Sequence, residues 1–220
     1  MKYRAILFDL DGTLLNTLAD IAGAANRVLA QRGHPTHELS AFPNFVGHGS
    51  RALIERALPA TQRDAATIQT CFDAYLEDYG RHWNDNTELY PGIAEMLDQV
   101  SRFDVKLAIL SNKPHVLTVR CADAHLSKWP FETILGQQDA TPNKPDPTAA
   151  LAIAQQLGVS AGACLFVGDS GVDMQTATAA GMFPAGVLWG FRPESELREQ
   201  GARVLLSHPS EITPQIRLSA

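Results

Sequence analysis

Short apolar runs separated by amphipathic stretches set the plan of this chain. Four runs are β-rich and almost free of polar residues: Ala5–Phe8, Val105–Leu110, Cys164–Val167 and Pro184–Leu188, with Phe131–Leu135 as a weaker fifth. Strands covered on both faces read this way, whereas strands with one wet face alternate. Helical patterns separate most of the runs, which predicts an α/β fold with a Rossmann-like parallel sheet core and helices on both faces. The interval from about Leu15 to Leu89 breaks the rhythm. It offers no convincing strand, and Ile21–Gln31, Arg51–Leu58 and Ala65–Trp83 carry apolar residues at helical spacing. Breaks near Gly33-His34-Pro35 and Leu58-Pro59 divide them. The interval is too long for a simple crossover helix. The expectation is a core made of residues 1–14 and 91–220 and an inserted helical domain of residues 15–90. Tyr90-Pro91-Gly92 turns the chain back to the core, and hinges near Leu15–Thr17 and Leu89–Gly92 let the insertion open and close over it.

In a parallel sheet the ligand sits beyond the carboxyl ends of the strands, and three runs end in chemically capable residues. The first delivers Asp9-Leu10-Asp11-Gly12-Thr13. Two unpaired carboxylates that close repel, so a cation is expected to hold them, a hard metal ion with oxygen ligands. One carboxylate can attack an electrophile while the other shuttles a proton. The same Asp-Gly-Thr string also suits a plain turn. The second run ends in Ser111-Asn112-Lys113, where hydroxyl, amide and backbone N–H groups can hold phosphate oxygens. Capping a helix that starts near Pro114 is the other role open to Ser111 and Asn112, and helix N-termini themselves bind anions. The third run ends in Gly168-Asp169-Ser170-Gly171-Val172-Asp173. Asp169 is placed as a metal ligand, and Asp173, one helical turn on, can orient a lysine or a metal-bound water from behind. Acids at a helix start are also favoured by the helix dipole alone. Between these segments lies Asn143-Lys144-Pro145-Asp146-Pro147, two prolines stiffening a loop around one cation, which is either a fixed counter-charge or solvated surface.

Composition narrows the function classes. A length of 220 residues allows one good core, or a core with a small second unit. The net charge of -6 argues against a nucleic-acid partner but leaves room for a locally positive site that takes an anionic small molecule. Cys71, Cys121 and Cys164 are an odd, scattered set without CxxC spacing, which fits a reducing compartment. The apolar stretch before Asp9 is too short for a secretion signal, and no run approaches a membrane span. A cytoplasmic enzyme with no membrane partner is the expectation.

The order, spacing and strand-end placement of these segments resemble the haloacid dehalogenase superfamily of phosphatases over nearly the whole chain. Asp9-Leu10-Asp11-Gly12-Thr13 looks like its first motif, Ser111 its second, Lys144 its third and Asp169 with Asp173 its fourth, and the inserted helices look like its cap. The resemblance implies that Asp9 attacks phosphorus and forms an aspartyl-phosphate. Asp11 then protonates the leaving alcohol and afterwards activates water. It implies Mg²⁺ held by Asp9, the backbone carbonyl of Asp11 and Asp169, with Asp173 behind them. Ser111 and Lys144 would bind the transferring phosphoryl group, with Thr13 and Asn112 among the substrate-binding residues. Asp11 argues against the dehalogenases, which lack it, and the lysine-free interval from Leu15 to Leu89 argues against the phosphonate hydrolases of the same fold.

Phe45-Val46-Gly47-His48-Gly49-Ser50-Arg51 is similar to the substrate-facing segment of phosphoglycolate phosphatases, and Lys113-Pro114 follows their pattern too. This implies that Gly47 and Gly49 let backbone approach the ligand, with His48 beside them, and that Arg51 pairs with a substrate carboxylate. An ordinary turn followed by an exposed Arg51 is the alternative. Asn16 stands where many relatives carry an acid, near the hinge. The function implied is a Mg²⁺-dependent phosphatase of a small phosphate monoester, phosphoglycolate phosphatase-like. A β-phosphoglucomutase-like sugar phosphomutase shares all four motifs, and a non-catalytic phosphate-ligand-binding protein is the reading from another class. Monomer and homodimer are both open.

Overall fold

The apolar run Ala5–Phe8 forms strand β1 at the middle of a sheet in the computed structural model, which describes residues 3–217. The other core strands are β4 (Lys106–Pro114), β5 (Phe131–Gln137), β6 (Cys164–Gly168), β7 (Phe183–Val187) and β8 (Val204–Leu206). The order is β5-β4-β1-β6-β7-β8, and every neighbouring pair is parallel. Ala5 stands opposite both Lys106 and Cys164, so the strands on either side of β1 are in step. That register carries the residues after Phe8, Leu110 and Val167 to one edge of the sheet. The chain runs from β1 to β4 and β5 on one side and then crosses to β6, β7 and β8 on the other, and the crevice at such a switch point is where ligands sit.

Alternation along the strands gives each face its own core. Ile6, Phe8, Leu107, Ile109, Leu165 and Val167 pack on one side with Ile93 and Leu97 of α4 (Ile93–Val100), Cys121 of α5 (His115–His125) and Ile212 and Ile216 of α9 (Ile212–Arg217). Ala5, Leu7, Ala108, Leu110 and Phe166 pack on the other with Ala150 and Ile153 of α6 (Thr148–Gln156) and Ala177 of α7 (Gly171–Ala179). With both faces covered, no strand of the trio has a wet side, which is why the sequence shows runs and not alternation. Each large side chain buried this way contributes about 1.5–3 kcal/mol. The short helix α8 (Glu194–Glu199) follows β7 and sets Leu197 against Gly186.

Three further helices occupy the long interval: α1 (Leu18–Gln31), α2 (Ser50–Ala57) and α3 (Ala65–His82), with a 3₁₀ turn at Leu39–Asn44. Ala25, Val28 and Leu29 on α1, Leu53 and Ile54 on α2 and Tyr75 and Tyr79 on α3 make a separate apolar cluster. Asp64 starts α3 by accepting bonds from the Ala66 and Thr67 amides at 3.1 and 3.0 Å, the usual side-chain cap. Asp20, buried at the start of α1, accepts from the Asn86 amide at 3.0 Å and the Thr87 hydroxyl at 2.7 Å, which fastens the two ends of the interval together.

Several expectations need correction. The interval is not free of strand: β2 (Leu15–Asn16) and β3 (Glu88–Leu89) pair antiparallel at its two ends. Two-residue strands leave no periodic signature, and partners this far apart in sequence are not legible locally. The second run continues past Leu110 as strand through Pro114, so Ser111 and Asn112 do not cap α5, which starts after Pro114 without a side-chain cap. The β8 edge strand was not anticipated; it is only Val204–Leu206 and half-buried. No helix among the described residues is long and apolar enough to cross a membrane. The three cysteines are buried and unbridged.

Candidate active site

Strand β1 ends where Asp9 donates its backbone N–H to Val167 at 2.9 Å, the last rung toward β6. Beyond it the chain must turn at once. Leu10 accepts from the amides of Leu14 and Leu15, and Gly12 takes φ +86°. A Cβ at Gly12 would lie 2.2 Å from Asp169 Oδ2, so glycine is required both for the turn and for Asp169 to come close. The turn aims both acids at the cavity. Asp11 accepts from the Thr17 hydroxyl at 2.7 Å and from Lys113 Nζ at 2.9 Å. Lys113, buried at the end of β4, also donates to the hydroxyl of Tyr79 on α3 at 2.6 Å. Burial opposes the Lys113 charge, but Asp11 and Tyr79 outweigh it and hold the ammonium firmly protonated. Burial, eased only in part by Lys113, raises the Tyr79 hydroxyl above its ordinary range.

Lys144 is nearly buried and sits 2.8 Å from Asp9 and 2.6 Å from Asp173. Burial disfavours its charge as well, and the pull of Asp173 and then Asp9 overcomes it, so Lys144 stays an ammonium. Its loop is located by Asn112, whose Oδ1 accepts from the Lys144 amide at 2.9 Å while Nδ2 donates to the Lys144 carbonyl at 3.0 Å. The same Nδ2 reaches the Gly47 carbonyl at 3.0 Å. Asn112 is therefore committed to protein partners. Ser111 accepts from the Lys113 amide at 3.2 Å, which leaves its own hydroxyl proton to donate.

Strand β6 delivers Asp169, whose Oδ2 accepts from the Phe191 amide at 2.7 Å. Asp173 lies inside the first turn of α7, in a capping box with Ser170, and turns its other oxygen to Lys144. Cap and counter-ion are thus the same residue. Carboxylate oxygens of Asp9, Asp169 and Asp173 all lie within 4.8 Å of one another, and all three side chains are buried. Burial, only partly offset by Lys144, with Asp173 and Asp11 adding to it, pushes the Asp9 pKa up to about 7. Burial, then Asp173 and Asp9, pushes Asp169 well above the usual carboxylate range. Asp9, Asp11, Asp169 and Asp173 face Lys113 and Lys144, with Arg192 further along the lining, so a negative surplus remains around Asp9 and Asp169 when these groups are ionised. An all-oxygen donor set with that surplus suits a hard divalent cation.

These groups line a cavity with about 60 Å³ of room for the centres of water-sized molecules. Gly47, Ser50 and Leu53 of the helical interval cover it, and Phe191 and Arg192 close another side. Of the residues singled out from sequence, Asp9, Asp11, Gly47, Gly49, Ser111, Asn112, Lys144 and Asp169 line the cavity. Thr13 is buried with its hydroxyl unpartnered among the described residues. His48 and Arg51 are exposed and do not line the cavity; Arg51 donates to Gln69 at 2.5 Å and lies over the ring of Phe72. Sequence reasoning missed Tyr79 and Arg192 as members of the site, and it named Lys113 at a strand end without giving it a role. Lys113 shares a strand face with Ser111 by two-residue alternation, and Arg192 follows the fourth apolar run, so the strand-end rule reaches both. Tyr79 is one apolar position among many on α3 and carries no local signal.

A sequence model of the haloacid dehalogenase-like hydrolase family matches residues 6–187. The chain is 35% identical over 196 residues to the phosphoglycolate phosphatase of Pseudomonas putida (strain KT2440), covering 86% of this chain and 70% of that protein. It is 31% identical over 210 residues to the phosphoglycolate phosphatase of Xanthomonas campestris pv. campestris (strain 8004), covering 95% and 94%. A crystal structure from Lactobacillus delbrueckii subsp. bulgaricus, named by inference a phosphoglycolate phosphatase, superposes with a TM-score of 0.92 at 28% identity, covering 98% of this chain and 99% of that one.

Proposed function

Since the chain belongs to the haloacid dehalogenase-like hydrolase family, we propose that it hydrolyses 2-phosphoglycolate, or a phosphate monoester of similar size, through a phosphorylated Asp9. It is a phosphoric monoester hydrolase of the phosphoglycolate phosphatase-like kind. The observation that carries the residue assignment is the position of Asp9, at the floor of the cavity with Lys144 at 2.8 Å and Asp169 beside it.

In this reading an Asp9 oxygen forms a bond to phosphorus as the bond from phosphorus to the ester oxygen breaks. Asp11 gives its proton to the departing alkoxide and takes one back from the water that later attacks the aspartyl-phosphate. An anion attacking an anion needs fixed positive charge at the transferring group more than it needs covalent chemistry. Lys144 supplies one such charge, and Asp173 and Asn112 keep it in place. The Ser111 hydroxyl donates to a phosphoryl oxygen. Mg²⁺ suits the donor set of Asp9, Asp169 and the Asp11 carbonyl, and when bound it offsets the charge shared by nucleophile and phosphoryl group. Residues 15–90 act as the cap, and Gly47, Ser50 and Leu53 cover the cavity from that side. Lys113 orients Asp11 and joins it to the cap through Tyr79.

The test is a panel of phosphate monoesters with Mg²⁺ and with EDTA, reading free phosphate, together with the Asp9→Asn variant. Wild-type enzyme trapped in acid during turnover is expected to carry phosphate on the peptide that contains Asp9. Full activity in Asp9→Asn would overturn the mechanism.

A further inference from the structure

The cavity holds three cationic side chains, and two of them are already matched. Lys144 serves Asp9 and Asp173, and Lys113 serves Asp11 and Tyr79. Arg192 is different. It comes from the loop after β7, its side chain is only 12% exposed, and it lines the cavity. One guanidinium nitrogen donates to the Val46 carbonyl at 3.0 Å. Its ion-pair partner, Glu196, stands 3.6 Å from Nε, beyond hydrogen-bond reach, and the same Glu196 oxygen accepts from the Gly171 amide at 2.9 Å. A guanidinium has five N–H donors in a planar fork. Most of this fork is therefore without a protein acceptor among the described residues while being largely removed from water, a state that calls for a ligand acceptor.

The surroundings fix the fork in place. The amide of the preceding residue, Phe191, is bonded to Asp169. Gly47 lies against the guanidinium, and a Cβ there would stand 3.7 Å from it, so a larger side chain would crowd the fork. Arg51, the residue expected from sequence to meet a substrate carboxylate, points away toward Gln69 and Phe72.

We propose that Arg192 is the specificity residue of this site and seats a carboxylate on the leaving alcohol of the phosphate ester. This rests on the phosphatase reading above and deepens it. Lys144 and Ser111 take the phosphoryl end, and the Arg192 fork takes two carboxylate oxygens in the planar match that guanidinium makes best. Arg192, Lys144 and Ser111 line one cavity, so a single small ester can meet all three. A neutral ester of the same length leaves the fork unmatched and is turned over less efficiently.

The test compares 2-phosphoglycolate with ethyl phosphate, which lacks the carboxylate, in wild-type enzyme and in Arg192→Met and Arg192→Lys. Wild-type kcat/KM is expected to favour 2-phosphoglycolate ~100-fold, the order expected for a charge-assisted bidentate pair. In Arg192→Met that ratio falls at least ~30-fold, with most of the change in the KM for 2-phosphoglycolate; Arg192→Lys is intermediate because the charge survives without the fork. Both esters losing activity in equal proportion, with the ratio kept, overturns the inference and leaves Arg192 only a clamp on Val46. A second measurement needs no variant: 3-phosphonopropionate, in which methylene replaces the ester oxygen, should inhibit wild type ~100-fold more tightly than propylphosphonate. Equal inhibition by the two overturns the inference even if Arg192→Met does not fold. Wild type that hydrolyses no phosphate ester overturns the phosphatase reading and the inference with it, an outcome distinct from active enzyme with no preference.

Discussion

Replacing Asp9 with asparagine is expected to stabilise the metal-free protein and to abolish its turnover. Asp9 is 8% exposed and shares its pocket with Asp169 and Asp173. Burial raises its pKa from the ordinary 3.8 to about 7, with Lys144 opposing and Asp173 and Asp11 adding to the rise. The unfolded chain ionises at the ordinary value. Between pH 3.8 and about 7 the folded state therefore holds a proton that the unfolded state has released. Stability attributable to Asp9 falls as pH rises through that window, and the loss is complete above it. At 1.36 kcal/mol per pH unit the full window corresponds to about 4 kcal/mol. Asparagine has nearly the same shape and never ionises. Losing the bond to Lys144 offsets part of the gain, although Lys144 keeps Asp173 at 2.6 Å. In EDTA the variant should match wild type near pH 4 and exceed it by about 2–4 kcal/mol at pH 8. In Mg²⁺ the order should reverse, because ligand binding then stabilises only the chain with both carboxylates. Urea denaturation at pH 4.5, 6.5 and 8, in EDTA and in Mg²⁺, reads both effects. An asparagine variant no more stable than wild type in EDTA at pH 8, or a gain that does not grow with pH, would refute the reasoning.

Two further substitutions probe the supports of the site. Lys113→Met leaves Asp11 with only its Thr17 bond and removes the partner of Tyr79, and should lower kcat ~10–100-fold with KM within a few-fold, as expected for a residue that orients the acid. It should also lower stability by about 3 kcal/mol, the low end for breaking a buried pair because Asp11 stays 18% exposed; an unchanged denaturation midpoint would count against the pairing. Gly12→Ala puts a methyl group 2.2 Å from Asp169 Oδ2 in a left-handed turn, and should weaken Mg²⁺ binding at least tenfold by calorimetry, whereas wild-type affinity would show that Asp169 is not held where it lies here.

The core and its reactive edge were legible because a buried parallel sheet leaves blunt signals. Apolar runs stop abruptly at Asp9, Ser111 and Asp169, and the in-register pairing of β1 with β4 and β6 brings those stops together. What failed were inferences that needed direction or distance. Ser50 and Leu53 face the cavity, and at about 100° per residue Arg51 must leave the helix on another side. The apolar positions Leu53, Ile54 and Ala57 already mark the inner face of α2, so the outward turn of Arg51 could have been read from its helix phase. The β2–β3 pair, by contrast, joins residues more than seventy positions apart with two-residue strands, and no window of sequence contains it. Arg192 needed its strand end recognised as a fourth contributor; the glycine pair of Gly186 and Gly190 and the tryptophan between them mask the end of β7 as a turn.

Three core side chains that line the cavity bond the helical interval, and each is tied to a group proposed for catalysis. Lys113 bonds Tyr79 and Asp11; Asn112 bonds Gly47 and the Lys144 backbone; Arg192 bonds Val46 and follows the residue that holds Asp169. If residues 15–90 lift as a cap, these bonds break together, and the acid, the lysine and the metal-ligand side chain lose part of their support at the same moment. At about 0.5–1.5 kcal/mol net for a neutral bond and 1.5–3 for a charged one, the three sum to roughly 4–7 kcal/mol. These bonds favour the closed form, and domain opening that breaks such bonds belongs to the microsecond-to-millisecond scale. A reactive aspartyl-phosphate must be shielded from stray water until the ordered water attacks, so a site assembled only under a closed cap meets a chemical need. Substrate occupancy of Arg192 would add to the closed state alone, because the fork is held by the Val46 carbonyl only when the cap segment is down. The carboxylate would then be sensed by the same residue that latches the cap, and selectivity and closure would be set by one side chain.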